Sequence, residues 1–483
     1  MSRRDAVVVG SGPNGLAAAV TLARAGLAVT LIEKADHLGG GASTAELTLP
    51  GYRHDVCSAV HPLAFESRFF QEFGLARRVE FAVPDASFAQ PLDDGPAAIA
   101  YRDLERTGDT LRGDGDAYAR LLRPLVDRHS EVAEFTGHPL LRLPRHPSAA
   151  AWFAARAAEQ GSALWNTRFT GDAAPALLTG VAAHTILPLP SLAAAGAGLA
   201  LSTYGHALGW PIPIGGSQSI VDALVDDFRA HGGEIETGRE VTSLAELPPA
   251  RAVLLDVVPS ALLRIAGDRL PAAYRGALER FRYGGAVAKV DFALSAPVPW
   301  RDPAVGEAGT VHVGGTRAEI AASENLISRG GLPERPYVLV AQPSLFDRTR
   351  APAGAHTLWA YTHVPAGSGA DRADAVISQI ERFAPGFRDV IVATRSRTAI
   401  EVADENPNYP GGDIAAGSPG LWQLLKRPVV SSDPWRTPAG GIYLCSASTS
   451  PGPGVHGLAG WYAARSALRH EFGTTISPDL SPR

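Results

Sequence analysis

The first forty residues constrain the fold more than any other part of the chain. A short apolar, β-branched run (residues 6–9) is followed by a glycine-rich turn and then by a helical pattern over residues 16–25. A second apolar run ends at Glu33, 18 positions beyond Gly15. This order and spacing predict a strand, a tight turn, a helix and a second strand, which is the βαβ unit that binds a dinucleotide.

Three glycines of the turn have separate physical roles. Gly10 allows the chain to turn sharply, Gly12 lets a pyrophosphate approach the backbone, and Gly15 lets helix and strand pack closely. The helix N-terminus then faces the phosphates with unpaired N–H groups and a partial positive charge. Glu33 is placed to accept hydrogen bonds from an adenosine ribose. The alternative is a βαβ turn with a purely structural role.

A second glycine-rich stretch, residues 34–44, indicates which dinucleotide is bound. A nicotinamide domain does not need one at this point. The stretch resembles the Gly-Gly segment that carries flavoproteins of the glutathione-reductase type past the FAD pyrophosphate. FAD is therefore the predicted cofactor, and a flexible loop is the alternative.

Composition and charge exclude several classes of protein. A length of 483 residues allows two or three domains. The chain has 44 basic and 49 acidic residues and no basic run, so we expect no nucleic-acid partner. Cys57 and Cys445 are the only cysteines and are far apart in sequence, which argues against a disulfide reductase and against a metal site. The apolar run after Arg4 is too short for a signal peptide, so we expect a cytoplasmic protein.

Residues 173–221 contain no Asp, Glu, Lys or Arg. Prolines, together with His184 and His206, interrupt every window near the length of a membrane-spanning helix, so such a helix is disfavoured. Three interpretations remain: a buried helical core, helices that line an apolar substrate cavity, or a surface that dips into a membrane.

The remaining patterns predict a helical cap, returning strands and a second domain. The cap pattern runs from about Phe65 to Glu159. The other predicted elements are a helix at 220–231, paired edge strands within 234–244, a buried strand at 252–259, strands at 286–294, 337–342 and 357–363, a strand at 441–445 and a helix from about 456.

A second GxGxxG pattern is formed by Gly452, Gly454 and Gly457. Only 26 residues follow Gly457, too few for another βαβ unit. We expect instead a helix whose N-terminus stabilises negative charge at the N1/O2 edge of a reduced flavin. The alternative is an ordinary C-terminal helix.

Five motifs together resemble the phytoene desaturase-like FAD-dependent oxidoreductases, the group that includes the pyridine nucleotide-disulfide oxidoreductase domain proteins. The motifs are VVVGSGPNGLAAAVTLARAG, PGYRHDVCSAVHPLA, GWPIPIGGSQSIVDAL, NPNYPGGDIAAG and GIYLCSASTSPGPGVHGLAGWYAAR. The resemblance implies a non-covalent FAD, a two-lobed fold and removal of hydrogen from a largely apolar substrate.

This chain departs from the family at two points. Gly39-Gly40-Gly41 stands where carotenoid desaturases usually have Gly-Gly-Arg. Ser446-Ala447-Ser448 stands where many relatives have an acid or a glycine, so backbone or hydroxyl groups are expected to contact the ribityl chain.

The predicted fold class is α/β with an α+β second lobe. It consists of an FAD-binding Rossmann domain of the glutathione-reductase and amine-oxidase type and a discontinuous substrate domain of mixed sheet and helices. The FAD-binding domain is predicted at 1–70, 211–262 and 432–473. The substrate domain is predicted as a helical cap at 71–210 and a mixed sheet at 263–431. A disordered tail is predicted at 474–483.

The predicted chemistry is hydride transfer to flavin N5, with a protein side chain taking the proton. His61, Tyr409 and His456 are the candidate catalytic residues; His184 and His206 are better explained as satisfied core histidines. The predicted cofactor-binding residues are Gly10, Ser11, Gly12, Pro13, Asn14, Gly15, Glu33, Lys34, Gly40, Gly41, Ala42, Ser43, Val241, Ser448, Val455, His456, Gly457 and Leu458.

The expected partner is an apolar small molecule, with peripheral membrane contact as a further expectation. Two other functions remain open. One is a redox-neutral isomerase that uses reduced flavin, and the other is a flavin-stabilised interaction protein without turnover.

Overall fold

A computed structural model describes residues 4–482. Residues 1–3 of the predicted first segment and residue 483 of the predicted tail lie outside this range. The strands are β1 (Arg4–Val9), β2 (Val29–Ile32), β3 (Thr44–Glu46), β4 (Arg53–Asp55), β5 (Phe81–Ala82), β6 (Ala86–Gln90), β7 (Ala98–Tyr101), β8 (Ile212–Pro213), β9 (Glu234–Glu236), β10 (Ala250–Leu255), β11 (Ala286–Leu294), β12 (Ala308–Val313), β13 (Val338–Ala341), β14 (His356–Val364), β15 (Ile391–Arg397) and β16 (Ile442–Leu444).

The helices lie between these strands or after the last one, and six of them follow one another between β7 and β8. They are α1 (Pro13–Arg24), α2 (Arg68–Phe73), α3 (Leu104–Asp109), α4 (Gly115–Val126), α5 (His129–Thr136), α6 (Pro147–Gln160), α7 (Ala173–Ala182), α8 (Leu192–Ala207), α9 (Gln218–Ala230), α10 (Pro259–Ala266), α11 (Ala272–Glu279), α12 (Arg317–Ile327), α13 (Ala373–Phe383), α14 (Ala399–Glu405), α15 (Leu421–Leu425) and α16 (Leu458–Glu471).

The first lobe is built on a five-stranded parallel sheet in the order β16-β10-β1-β2-β9. Helices cover both faces, which is why the central strands are continuously apolar. Along β1, Ala6 and Val8 pack in the core with α1, α9 and α16, whereas Val7 and Val9 pack in the core with α10 and α11. The sheet thus joins three distant stretches of chain, and the predicted Rossmann architecture is confirmed.

Helix α16 brings the C-terminal part of the chain against the glycine-rich turn. It packs along α1, and a Cβ atom at Gly460 would overlap the carbonyl oxygen of Asn14. The two backbones can approach this closely only because Gly460 has no side chain. The start of α16 therefore lies beside the start of α1.

The second lobe contains a seven-stranded sheet in the order β15-β11-β14-β13-β12-β6-β7. Side chains alternate between its two faces along each strand. On β11, Val290 and Phe292 face a core shared with α13, whereas Val287 and Lys289 line a cavity on the other face. One face of the sheet is therefore packed, and the opposite face is open to the interior space between the lobes at its central strands, whereas α7 and α8 cover it at β6 and β7.

Two of the predicted elements differ from the structure. The segment 65–159 was expected to be helical, but it also supplies β6 and β7 to the second-lobe sheet. These strands are short and alanine-rich, so their pattern is weak beside the helices that follow. Within 234–244 only β9 forms, and it pairs in parallel with β2 rather than with a neighbouring edge strand.

The uncharged segment 173–221 lies mostly inside the protein. Its two long helices, α7 and α8, pack on each other in a buried apolar cluster that includes Leu199, which is 2% exposed. Another side of α8, with Gly196, Ala200 and Leu201, lines the cavity. The segment is thus both core and cavity wall. Among the described residues, none of the helices combines the length and the apolar character needed to cross a membrane.

The C-terminal tail was expected to be disordered, and the structure differs here too. Residues 474–482 form no helix or strand, but Leu480 is only 2% exposed within the first-lobe core. Arg24 also donates a hydrogen bond from Nη1 to the carbonyl oxygen of Asp479 at 3.3 Å. A single apolar anchor in a Ser/Pro-rich stretch holds the tail against the protein.

Candidate active site

One cavity of about 1300 Å³ joins the two lobes. At one end its wall is the glycine-rich turn and the carboxyl ends of the first-lobe strands, and at the other end it is the open face of the second-lobe sheet together with α8. Ligands of open α/β sheets bind at the carboxyl ends of the strands. A dinucleotide and a second molecule could therefore meet in this one space.

The glycine-rich turn is packed so tightly that no side chain fits. Gly10 has a φ of +97°, and a Cβ atom there would lie 2.8 Å from the carbonyl oxygen of Asp256. A Cβ atom at Gly12 would lie 2.7 Å from the Oδ2 atom of Asp256. Helix α1 starts directly after this turn, with Pro13, which has no N–H group, in its first turn, and both Pro13 and Asn14 lie on the cavity wall.

Glu33 links the two glycine-rich segments. Its Oε2 atom accepts hydrogen bonds from the backbone N–H of Ser11 at 2.7 Å and from the Ser11 hydroxyl at 2.6 Å. The Ser11 oxygen in turn accepts one from the backbone N–H of Gly39 at 3.1 Å. A carboxylate has about four lone-pair sites, so Glu33, which lines the cavity, can also accept from a ribose hydroxyl.

Gly41 explains why this chain lacks the arginine of the carotenoid desaturases. A Cβ atom at Gly41 would overlap the hydroxyl oxygen of Tyr409 and would lie 3.7 Å from the Cβ atom of Cys57. The Tyr409 hydroxyl therefore fills the place where a larger side chain would begin. Burial, with the nearby Cys57, raises the pKa of Tyr409 well above its ordinary value, so this hydroxyl stays protonated.

His456 uses both ring nitrogens in backbone hydrogen bonds. Its Nδ1 atom accepts from the backbone N–H of Leu458 at 3.0 Å, so Nε2 carries the proton and donates to the carbonyl oxygen of Gly452 at 3.1 Å. Burial lowers the pKa of the ring to about 4, which keeps it neutral. The ring shapes the turn before α16 and leaves no lone pair for a substrate proton.

Hydrogen bonds with Ala416 and Arg427 fix the loop after β16. The Ser448 hydroxyl donates to the carbonyl oxygen of Ala416 at 2.6 Å, and the buried Arg427 donates to the carbonyl oxygens of Ala415 and Ala447. These bonds join residues 415–417 to residues 446–448. Ser448 therefore stabilises the loop and does not line the cavity.

All but four of the predicted cofactor-binding residues line the cavity. The four that lie behind its wall are Gly15, Ala42, Ser448 and Gly457. Gly15 and Gly457 instead permit close packing, because a Cβ atom at either would overlap neighbouring atoms. All three candidate catalytic residues lie on the wall.

His61 keeps a free lone pair. The Ser217 hydroxyl donates to the carbonyl oxygen of Ser58, so the His61 Nε2–H donates to the Ser217 oxygen, at 2.8 Å. Its Nδ1 atom has no hydrogen-bond partner among residues 4–482. Burial lowers the pKa of His61 to about 4, so the ring is neutral.

The two histidines of the uncharged segment differ from each other. His206 is satisfied on both sides, by the Tyr118 hydroxyl at 2.9 Å and the carbonyl oxygen of Tyr101 at 2.6 Å, as expected for a core histidine. His184 lines the cavity and shares a 2.8 Å hydrogen bond with the buried His312.

Lys289 is a residue of the site that the sequence reasoning missed. It projects from β11 into the cavity floor, forms an ion pair with the buried Asp291, and lies 5.4 Å from the ring centre of Trp359. Burial lowers the pKa of its ammonium group to about 8, against the opposing effect of Asp291. The signal was present as two charged residues in the otherwise apolar strand AVAKVDFAL.

Asp256 was missed in the same way. It follows the apolar run of β10, and its Oδ2 atom accepts a hydrogen bond from the backbone N–H of Gly15 at 2.9 Å. Apart from Arg397 beside it, the cavity floor around Lys289 is mostly apolar or aromatic, with Val287, Leu339 and Tyr361 on the same or neighbouring strands. The cavity thus has a polar dinucleotide end and a largely apolar far end.

Comparisons with known proteins agree with this architecture. The family model described as "NAD(P)-binding Rossmann-like domain" matches residues 8–73. The chain is 25% identical to the pyridine nucleotide-disulfide oxidoreductase domain-containing protein 2 of Rattus norvegicus, over 96% of this chain and 93% of that protein. It is 24% identical to the phytoene desaturase (neurosporene-forming) of Rhodobacter capsulatus, over 94% of this chain and 92% of that protein.

Over nearly its whole length the chain is thus similar to a pyridine nucleotide-disulfide oxidoreductase domain protein and to a phytoene desaturase. A solved structure of a putrescine oxidase triple mutant has the same fold, with a TM-score of 0.63 at 18% identity over 96% of this chain and 99% of that one. At this identity the likeness concerns the fold alone. The resemblance and the fold class expected from the motifs are therefore both confirmed, and the relatives that span nearly the whole chain are named as an oxidoreductase domain protein and a desaturase.

The contact between Gly41 and Tyr409 gives a testable prediction. Gly41→Ala should lower the free energy of unfolding by about 1–3 kcal/mol, because the added methyl group overlaps the Tyr409 hydroxyl. In a Tyr409→Phe background the same change should cost clearly less, because the overlapping oxygen is gone. Urea denaturation of the four proteins measures this coupling.

Gly440→Ala is the matched control, because a Cβ atom there meets nothing within 4 Å. Equal costs of Gly41→Ala in both backgrounds would contradict the proposed contact.

Proposed function

We propose that the protein is an FAD-dependent oxidoreductase that removes hydrogen from a largely apolar substrate. The observation that carries this proposal is the single cavity that runs from the glycine-rich turn to the apolar floor of the second lobe. A cofactor bound at one end would share the space with a substrate at the other. The relatives named as desaturases support the same reaction class.

The residues at the first end fit an FAD molecule. The space above Gly12 is too narrow for a side chain, which suits backbone contact with a diphosphate. The buried Oδ1 atom of Asn14 has no partner among residues 4–482 and can accept a hydrogen bond from a ligand. Glu33 would hold the ribose, and the loop shaped by His456 would hold the flavin end. FAD, when bound, supplies the hydride acceptor for the reaction.

Two side chains of the cavity can hold the proton that leaves with the hydride. Lys289 has its pKa lowered to about 8 by burial, close to the value that suits a general base near neutral pH. His61 offers the free lone pair on Nδ1. Lys289 is the first candidate because it lies on the cavity floor, where Asp291 forms ion pairs with both Lys289 and Arg397.

The walls around these groups favour a substrate with little charge. Val287, Leu339 and Trp359 on the floor and Ala200 and Leu201 on α8 would exclude water and orient an apolar chain. The charges on the same floor are paired, Lys289 and Arg397 with Asp291 and Arg397 also with Glu405, so they largely cancel. A floor with little net charge supports a neutral substrate.

Bound flavin provides the first test. Purified protein should be yellow and should release FAD on denaturation, and Glu33→Ala should weaken FAD binding by about 1.5–3 kcal/mol, the usual value of a hydrogen bond to a charged group. Flavin fluorescence titration of the apoprotein measures the dissociation constant. Asp222→Ala removes an exposed acid of α9 and serves as the control with unchanged affinity.

A colourless protein that binds NADH and not FAD would contradict the proposed cofactor. An unchanged affinity in Glu33→Ala would contradict the ribose contact alone.

The proton-holding role of Lys289 gives a second test. The chain has only three lysines, Lys34, Lys289 and Lys426, so lysine labelled with 13C gives three side-chain signals. The signal that disappears in Lys289→Met should titrate with a midpoint near pH 8, because burial disfavours its charged form. Lys426→Met, at an exposed position, assigns a second signal as the control.

A midpoint above pH 10 for the Lys289 signal would mean that almost no free amine is present near neutral pH, and it would remove Lys289 as the base.

A further inference from the structure

A carboxylate lies inside the expected phosphate cradle. Asp256 directly follows β10, and its backbone N–H bonds to the carbonyl oxygen of Val9 at 2.8 Å, so the sheet fixes its position. Its Oδ2 atom accepts from the backbone N–H of Gly15 at 2.9 Å and lies where a Cβ atom of Gly12 would meet it at 2.7 Å. An acidic side chain thus uses a donor of the α1 N-terminus that phosphates would otherwise attract.

The second oxygen of Asp256 faces the cavity without a partner. Its Oδ1 atom makes no hydrogen bond with any residue in the range 4–482, although Asp256 lines the cavity wall and is only 7% exposed. One oxygen is therefore held by the protein, and the other is available to a ligand in the cradle.

An ionised Asp256 would repel the ligand expected there. The titratable groups that face it are Glu33 from the end of β2, Cys445 from the end of β16, and Tyr409 from the loop before α15. Burial keeps the thiol and the phenol neutral, so the charge that acts on Asp256 is the negative charge of Glu33. A diphosphate would add two more negative charges in a poorly solvated space.

We infer that Asp256 contacts the FAD diphosphate as a neutral acid, with Oδ2 still accepting from Gly15 and Oδ1 donating its proton to a phosphate oxygen. This inference rests on the proposed function, since it requires FAD in the cradle. Where Asp256 is ionised before binding, the proton comes from solvent and forms the O–H bond of the acid, and the only bond to FAD is the hydrogen bond. Asp256 is then a cofactor-binding residue that donates a hydrogen bond to the diphosphate only when its carboxyl group is protonated.

The consequence is a proton-linked affinity for FAD. Burial raises the pKa of Asp256 to about 7 in the protein without FAD, with Glu33 adding to the shift. Below this pH the acid already holds its proton, so binding does not depend on pH. Above this pH each FAD must bind together with one proton, so the dissociation constant should rise about tenfold per pH unit.

The test is FAD binding to the apoprotein between pH 6 and pH 9. We expect a flat dissociation constant at the acid end and a rise of about tenfold per unit at the alkaline end. Asp256→Asn keeps the shape of the protonated acid. Its amide oxygen can accept from Gly15 and its amide N–H can donate to phosphate without taking up a proton from solvent. The dissociation constant of this variant should therefore not depend on pH, and it should bind FAD more tightly than the wild type at pH 9. Asp222→Asn, an exposed acid on α9, should keep the wild-type profile.

Calorimetry of the wild type keeps the test independent of the variants. Titrations in buffers of different ionisation enthalpy should give close to one proton taken up per FAD at pH 9 and close to none at pH 6. A flat wild-type profile with no proton uptake would overturn the inference while leaving FAD binding intact. Failure to bind FAD at any pH would instead overturn the proposed function, and the inference with it.

Discussion

The close approach of backbones around the start of α1 is the constraint on which the rest of the structure depends. Gly10, Gly12 and Gly15 bring the turn against β10, and Gly460 brings α16 against the carbonyl of Asn14. A side chain at any of these positions would push apart the sheet, the first helix and the last helix. Their contact places residues from opposite ends of the chain around one cavity, with the start of α1 on its wall.

Ionisable groups are buried beside the cavity, at a cost in folding free energy. Asp256 and Lys289 both lie in short polar interruptions of apolar strands, and burial shifts the pKa of each towards neutrality, to about 7 and about 8. Ionisable groups are expensive to bury, and strongly shifted groups cluster at functional sites. One of them faces the dinucleotide end of the cavity and the other faces the apolar end, so each has a different partner to act on.

The sequence predicted the elements that depend on local pattern. The βαβ unit, the strands at 286–294 and 357–363 and the start of the last helix all match the structure within a few residues, because strong apolar runs and glycines mark them. The tail and β6–β7 were missed, because one buried leucine or a short alanine-rich strand gives little local signal. His456 was expected to act on a proton, but its partners are backbone groups of its own turn, which no motif reveals. Lys289 could have been found from its charge within an apolar strand.

A crystal structure of the purified protein with FAD would show whether one cavity holds the cofactor beside a substrate space. We expect electron density for the diphosphate over Gly12 and Asn14, next to Asp256, with the flavin ring inside the cavity and the floor around Lys289 still free. Density for FAD outside this cavity, or a cavity filled by protein side chains in the complex, would show that the proposed site is wrong.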